Sequence, residues 1–124
     1  MQLVDLFLAP EDLFRLGNAT SPRLTHVRRP KDIDTIEING ITAVVANGKG
    51  VSLATRDRLD KTPVAGWVWM IAKGTHLPIG LKLINDRPGH YSVCPQHNMT
   101  LDEFVDLLSK LTMKCQKVFR KQVI

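Results

Sequence analysis

Residues 74–111, GTHLPIGLKLINDRPGHYSVCPQHNMTLDEFVDLLSKL, constrain the fold more than any other stretch of this chain. They read as loop, strand, turn, strand, loop and helix. Residues 81–84 form a strand, Asn85-Asp86 and Pro88-Gly89 are turn signals, and residues 91–94 form the next strand, which Pro95 ends. Thr100 opens the clearest helix. It stands at the N-cap with Glu103 three residues on, the pattern of a capping box. Phe104, Leu107, Leu108, Leu111, Cys115 and Val118 recur at helical spacing, so one helix is expected to run on into the basic residues 110–121. His90 sits on the lip of the second strand among turn residues, a placement that points to a cleft.

The preceding residues are richer in strands than in helices. Residues 4–8 are apolar and stop at Ala9-Pro10, and Pro10-Glu11-Asp12 marks a turn or a short helical start. Residues 13–17, LFRLG, read as a strand. Residues 18–35 are polar, hold Arg23, Arg28 and Arg29, and form a surface loop long enough to be functional. Asn39-Gly40 between residues 35–37 and 41–46 is the strongest short hairpin signal. Residues 51–53 resume as a short strand or helix entry, and residues 55–61, TRDRLDK, are charged and expected to be exposed. The unbroken apolar run of residues 64–72, VAGWVWMIA, fits a strand buried on both faces. Five or six short strands, not regularly interleaved with helices, argue for an α+β fold.

The 124 residues suit a single domain, 1–124. No apolar run approaches the roughly 20 residues that span a bilayer, and the start, MQLVDLFLAPEDLF, lacks the basic region of a signal peptide. Two cysteines are too few for a disulfide framework, which fits a cytoplasmic site of action. The net charge of +5 resides in the tail: Lys110, Lys114, Lys117, Arg120 and Lys121 carry it, and the rest of the chain balances. Such a tail suits either a solvated helix end or a meeting with nucleic acid, an acidic partner or anionic lipid.

Four histidines, His26, His76, His90 and His97, do not pair at metal-ligand spacing, and Cys94-Pro-Gln-His97 lacks a second half, so no metal site is expected. Cys94 reads as a buried strand cysteine rather than a nucleophile. Gly48-Lys49-Gly50 reads as a turn, since its spacing is wrong for a phosphate loop. Arg15 stands between Phe14 and Leu16 in an apolar strand, where it either reaches solvent or binds an anion. Arg15, Ser52 and the ring-bearing pair His90-Tyr91 together could hold a dinucleotide, with arginine on phosphate and a ring stacking or hydrogen-bonding.

The words Leu-Phe-Arg-Leu-Gly-Asn at 13–18, Pro-Arg-Leu at 22–24, Val-Arg-Arg-Pro-Lys-Asp-Ile at 27–33, Gly-Lys-Gly-Val-Ser at 48–52, Gly-Thr-His-Leu-Pro-Ile-Gly-Leu at 74–81 and His-Tyr-Ser-Val at 90–93 occur in this order. In this the chain resembles the Tse-two toxin family of type VI secretion effectors. The resemblance implies an ADP-ribosyltransferase-like split β-sheet core with a C-terminal helix. It implies an intracellular toxin that acts on NAD or transfers ADP-ribose, and a cognate immunity or antitoxin protein as partner. It implies cytoplasmic action, in the producer when neutralised and in the target cell after delivery. It assigns Arg15 to the NAD phosphates, Ser52 to the nicotinamide side of the pocket, His90 to a position needed for toxicity, and Tyr91 to the cofactor site beside it. Many ADP-ribosyltransferases also carry a glutamate on the third strand. Here no carboxylate lies between His90 and Pro95, and Glu103 serves the helix cap.

Two other classes remain open on the residues alone. One is a non-catalytic module that binds nucleic acid or protein through a basic C-terminal helix at 110–121. Only Phe119 interleaves those cations, which weighs against nucleic acid. The other is an antitoxin-like interaction protein whose tail is the functional surface.

Overall fold

The computed structural model describes residues 4–123. The start of the N-terminal segment and the last tail residue lie outside them. Ten strands and two helices fold into two sheets among the described residues. The larger sheet has seven strands: β1 (Asp5–Leu6), β2 (Leu13–Gly17), β5 (Val51–Ala54), β6 (Gly66–Ile71), β7 (Leu81–Arg87), β8 (His90–Pro95) and β10 (Gln116–Lys121). Their order across the sheet is β1-β7-β8-β5-β2-β6-β10. The smaller sheet joins β3 (Thr35–Ile38), β4 (Ile41–Val44) and β9 (Met99–Thr100). The helices are α1 (Arg56–Lys61) and α2 (Leu101–Thr112). This is the α+β split-sheet architecture expected, with more strands than the sequence pattern suggests and no helix at residues 10–12.

Local chemistry explains the best-formed elements. Asn39 and Gly40 both take positive φ, 52° and 80°, as a two-residue hairpin turn of this hand requires. The Thr100 side chain accepts the Glu103 N–H at 3.1 Å and so caps α2. Phe104, Leu108 and Leu111 of α2 are fully buried. They pack with Leu13, Val51, Leu53, Leu81, Leu83 and Val93 of the larger sheet and with Ile33, Val44 and Met99. A second, smaller core lies on the opposite face of that sheet. There Leu59 of α1 meets Phe14 and Val68, with Leu16, Met70 and Phe119 beside them. Residues 55–61 are therefore not simply a charged exposed segment, because Leu59 anchors them.

Two expectations fail. The final helix stops at Thr112, with Met113 as its C-cap, and Gln116–Lys121 pair antiparallel with β6. Pairing with an otherwise open strand edge outweighs the helical spacing of Cys115 and Val118. Cys115 still reaches the main core from the turn, and Val118 falls at the register shift between Lys117 and Phe119. The basic C-terminal helix proposed as a nucleic-acid surface thus does not exist. Its cations are engaged locally: Lys114 donates to the His76 carbonyl, Lys117 to that of Ala19, and Lys121 to those of Thr62 and Val64. The run at 64–72 is also not buried on both faces. Val68 and Ile71 are buried, whereas Trp67 and Trp69 are half-buried.

Gly50 shows how tightly the strand that carries Ser52 is seated. A Cβ there would land on the carbonyl carbon and oxygen of Val93 and crowd the amide of Cys94. These are backbone atoms of β8 and cannot rotate away. Gly50→Ala is expected to destabilise the fold by about 1–3 kcal/mol, as overpacking does, measurable as a lower urea midpoint with an unchanged slope.

Candidate active site

Strands β2 and β5 are joined by a single residue pair, Phe14 with Ala54. On its other side β2 pairs with β6 along its whole length, and β5 pairs with β8 over four residues. The larger sheet therefore parts between β2 and β5 just past Phe14, and a cavity of about 510 Å³ occupies the opening. Its volume is in the range of small-molecule sites. Arg15, Arg23, Arg28, Arg58 and His26 line it together with Ser52 and His90, and no carboxylate does.

Arg15 spans the parting. Its Nε donates to the Pro22 carbonyl at 2.9 Å, Nη1 to that of Ser52 at 2.8 Å, and Nη2 to that of Arg23 at 3.0 Å. The sequence offers solvent or an anion as its partner, and the structure adds three backbone carbonyls. Arginine has five N–H donors in a planar fork, so one N–H on each terminal nitrogen remains for a ligand. Burial pulls the Arg15 pKa below the ordinary arginine value, with Asp32 opposing.

The loop that supplies two of those carbonyls is held on several sides. Asn18 Oδ1 accepts the amides of Thr20 and Ser21. Trp69 Nε1 donates to the Asn18 carbonyl and Lys117 to that of Ala19. Gly17 permits the return, since a Cβ would meet Ser21 and Pro22 backbone atoms. Arg23 has φ of 58°, a left-handed conformation that costs a non-glycine residue about 1–3 kcal/mol. Among the described residues its exposed guanidinium has no ion-pair partner. Arg28, by contrast, forks onto Asp32 with two bonds of 3.1 Å. Burial acts to raise the Asp32 pKa, but the bonds from Arg28 outweigh it and the net shift is downward.

On the β5–β8 side, Ser52 pairs with Ser92 and Ala54 with His90 across the strands. The His90 ring is 11% exposed and fixed at both nitrogens. Nε2 lies 3.0 Å from Ser52 Oγ, and Nδ1 lies 2.6 Å from Asp86 Oδ1. An ionised carboxylate at this position can only accept, and such a pairing calls for the proton on Nδ1. Asp86 is the extra residue in β7, between the pairs Asn85–Tyr91 and Arg87–His90. Such bulges re-aim a side chain, and this one brings the carboxylate to the imidazole. The sequence marked Asn85-Asp86 only as a turn.

Arg15, Ser52 and His90 therefore meet at one opening. Tyr91 does not join them. Alternation along β8 sends it to the opposite face, where it enters the main core and its hydroxyl donates to Glu11 at 3.2 Å. Arg23, His26 and Arg58 join the site as well: the first two come from the loop of residues 18–35, which the sequence marks as long enough to be functional, and Arg58 comes from α1, where only its charge marks it. Cys94 is buried, and its thiol pKa is pushed up to about 12, chiefly by desolvation, so it stays a thiol at neutral pH. Among the described residues no three histidine, cysteine or carboxylate side chains converge as a metal site would need. Among the described residues no helix is long and apolar enough to cross a membrane.

A family model described as Tse2 ADP-ribosyltransferase toxin matches residues 11–121, which hold the whole cleft. The chain belongs to the Tse2 ADP-ribosyltransferase toxin family. Comparison with curated proteins and with solved structures finds no match. The opening between β2 and β5 thus lies within the span that the family model matches.

Lysine cannot reproduce the fork that closes this split. Arg15→Lys is expected to leave at least one of the three carbonyls unpaired and to cost about 1–3 kcal/mol. A thermal melt of the two proteins measures the loss.

Proposed function

We propose that this chain is an intracellular toxin that binds NAD in the opening between β2 and β5 and cleaves its nicotinamide–ribose bond, delivering ADP-ribose to an acceptor. One observation carries the reading. Within the span matched by the family model, four arginines and no carboxylate surround the cleft that Ser52 and His90 enter. A dinucleotide brings a doubly charged diphosphate, and arginine N–H groups pair with phosphate oxygens in short, charge-assisted bonds.

The residues divide the work by what each has left to give. Arg15 holds the cleft's walls and offers its two remaining N–H groups. Arg23 and Arg58 present guanidinium groups to the diphosphate from the loop and from α1. Ser52 and His90 stand at the nicotinamide–ribose end, away from the diphosphate. Tyr91, turned into the core, braces β8 rather than touching the dinucleotide. Delivery by type VI secretion, action in the cytoplasm of a target cell and neutralisation by a cognate immunity protein in the producer complete the proposal; family membership supports all three.

Expression in a susceptible bacterium tests it. The wild-type chain is expected to arrest growth and to change cellular NAD, while His90→Ala folds and does neither. A folded His90→Ala variant that keeps full toxicity would remove His90 from the mechanism.

A further inference from the structure

We infer that Asp86, His90 and Ser52 form a proton relay for a hydroxyl acceptor, water or an alcohol, with Asp86 as the positioning carboxylate. The inference rests on the reading of the cleft as an NAD site. Its observations are separate: a bulge, two short hydrogen bonds and the meeting of two cavities.

The imidazole is aligned by both of its nitrogens. Asp86 accepts from Nδ1 at 2.6 Å, which leaves the Nε2 lone pair facing Ser52 Oγ at 3.0 Å. In that tautomer the serine hydroxyl donates to the ring. A base held in one tautomer by a carboxylate behind it is the arrangement that activates hydroxyl groups in unrelated enzymes. Here the carboxylate is one-third exposed and the ring nearly enclosed. Asp86 thus stays open to solvent, while the ring's position is fixed.

Ser52 and His90 also line a second cavity of about 260 Å³, together with Asp86 and Ser92 and with the cations Arg28, Lys31, Lys49 and Arg87. Ser52, His90 and Arg28 therefore line both the larger chamber and this smaller one, and of the two only the smaller holds carboxylates, Asp86 and Asp32. A donor in the first and an acceptor hydroxyl in the second would meet at them. Asp86 does not line the arginine chamber and bonds to the imidazole that does. This suits removal of a proton from an acceptor better than direct contact with the sugar. It also gives the chain a carboxylate although β8 itself contains none.

The step balances as follows. The bond between ribose C1′ and the nicotinamide nitrogen breaks, and its electron pair leaves on nicotinamide. A lone pair of the acceptor oxygen forms the new bond to C1′. The acceptor's proton passes to Ser52 Oγ as the serine proton passes to His90 Nε2, and Asp86 stabilises the resulting imidazolium. A nucleophilic carboxylate would need no such base, so the relay selects a protonated oxygen.

The test uses the purified full chain with NAD. Calorimetric titration measures binding, nicotinamide release measures turnover, and ¹⁵N NMR of the histidine rings reads the tautomer. Asp86→Asn is expected to bind NAD within about twofold of wild type and to release nicotinamide roughly 10²–10⁴-fold more slowly, the usual worth of acid–base catalysis. Asp86→Glu is expected to recover part of the rate. The wild-type His90 ring is expected to be protonated at Nδ1, a readout that needs no variant to fold. Free ADP-ribose identifies water as acceptor, and an adduct that is stable to neutral hydroxylamine and that mass spectrometry places on a serine, threonine or tyrosine oxygen identifies an alcohol. A hydroxylamine-labile carboxylate adduct overturns the acceptor class. Wild-type protonation at Nε2 alone, or full turnover by an NAD-binding Asp86→Asn, overturns the relay and leaves the cleft reading standing. Absence of NAD binding by the wild-type chain overturns the cleft reading and the relay with it.

Discussion

The Arg15 guanidinium stands where the larger sheet loses its continuity. Strands β2 and β5 share one pair of residues, and beyond it neither strand has the other to bond to. Three carbonyls from three positions, Pro22, Arg23 and Ser52, would otherwise face a gap, and one planar cation satisfies them together. The sheet can open there without stranding its backbone groups, which would be costly to leave unpaired away from water. The loop of residues 18–35 is fastened over the opening by the same contact. That loop brings Arg23, His26 and Arg28 to the cleft. The cavity, its charge and its access to Ser52 therefore follow from how one arginine is bonded.

Charge is segregated around the opening. The arginine-lined chamber contains no acid, and nearby carboxylates are turned to other work. Asp32 is buried and bonded to Arg28. Glu11 accepts from Tyr91 on the other face, and Asp86 lies behind the imidazole. A cleft arranged this way attracts an anionic ligand while keeping negative charge in reserve at one end. The arrangement joins the Tse2 family match to a chemical expectation: phosphates on one side, and a proton-handling serine–histidine pair on the other.

What was legible in the sequence depended on how local its cause is. The hairpin at Asn39-Gly40 and the cap at Thr100 are set by a few adjacent residues, and both stand as read. Arg15 was conspicuous as a cation in an apolar strand, yet its partners lie seven, eight and thirty-seven residues away. Nothing in LFRLG names them. The end of α2 was misread because Cys115 and Val118 keep the helical period by coincidence, while pairing with β6 decides the strand. Asp86 was hidden for a similar reason. A bulge is a property of two paired strands, and the dipeptide Asn85-Asp86 alone reads as a turn. Tyr91 was grouped with His90 as a neighbour in sequence, although neighbours in a strand point to opposite faces.

The central claim is that NAD occupies the split between β2 and β5, and a crystal structure of the chain with NAD tests it most directly. The account predicts the diphosphate within hydrogen-bonding reach of Arg23 and Arg58, with the nicotinamide ribose beside Ser52 and His90. NAD bound instead in the adjoining groove lined by Glu11, Asp12, Lys61 and Lys73, which shares Phe14 and Arg58 with the cleft, and away from Ser52 and His90, would contradict it.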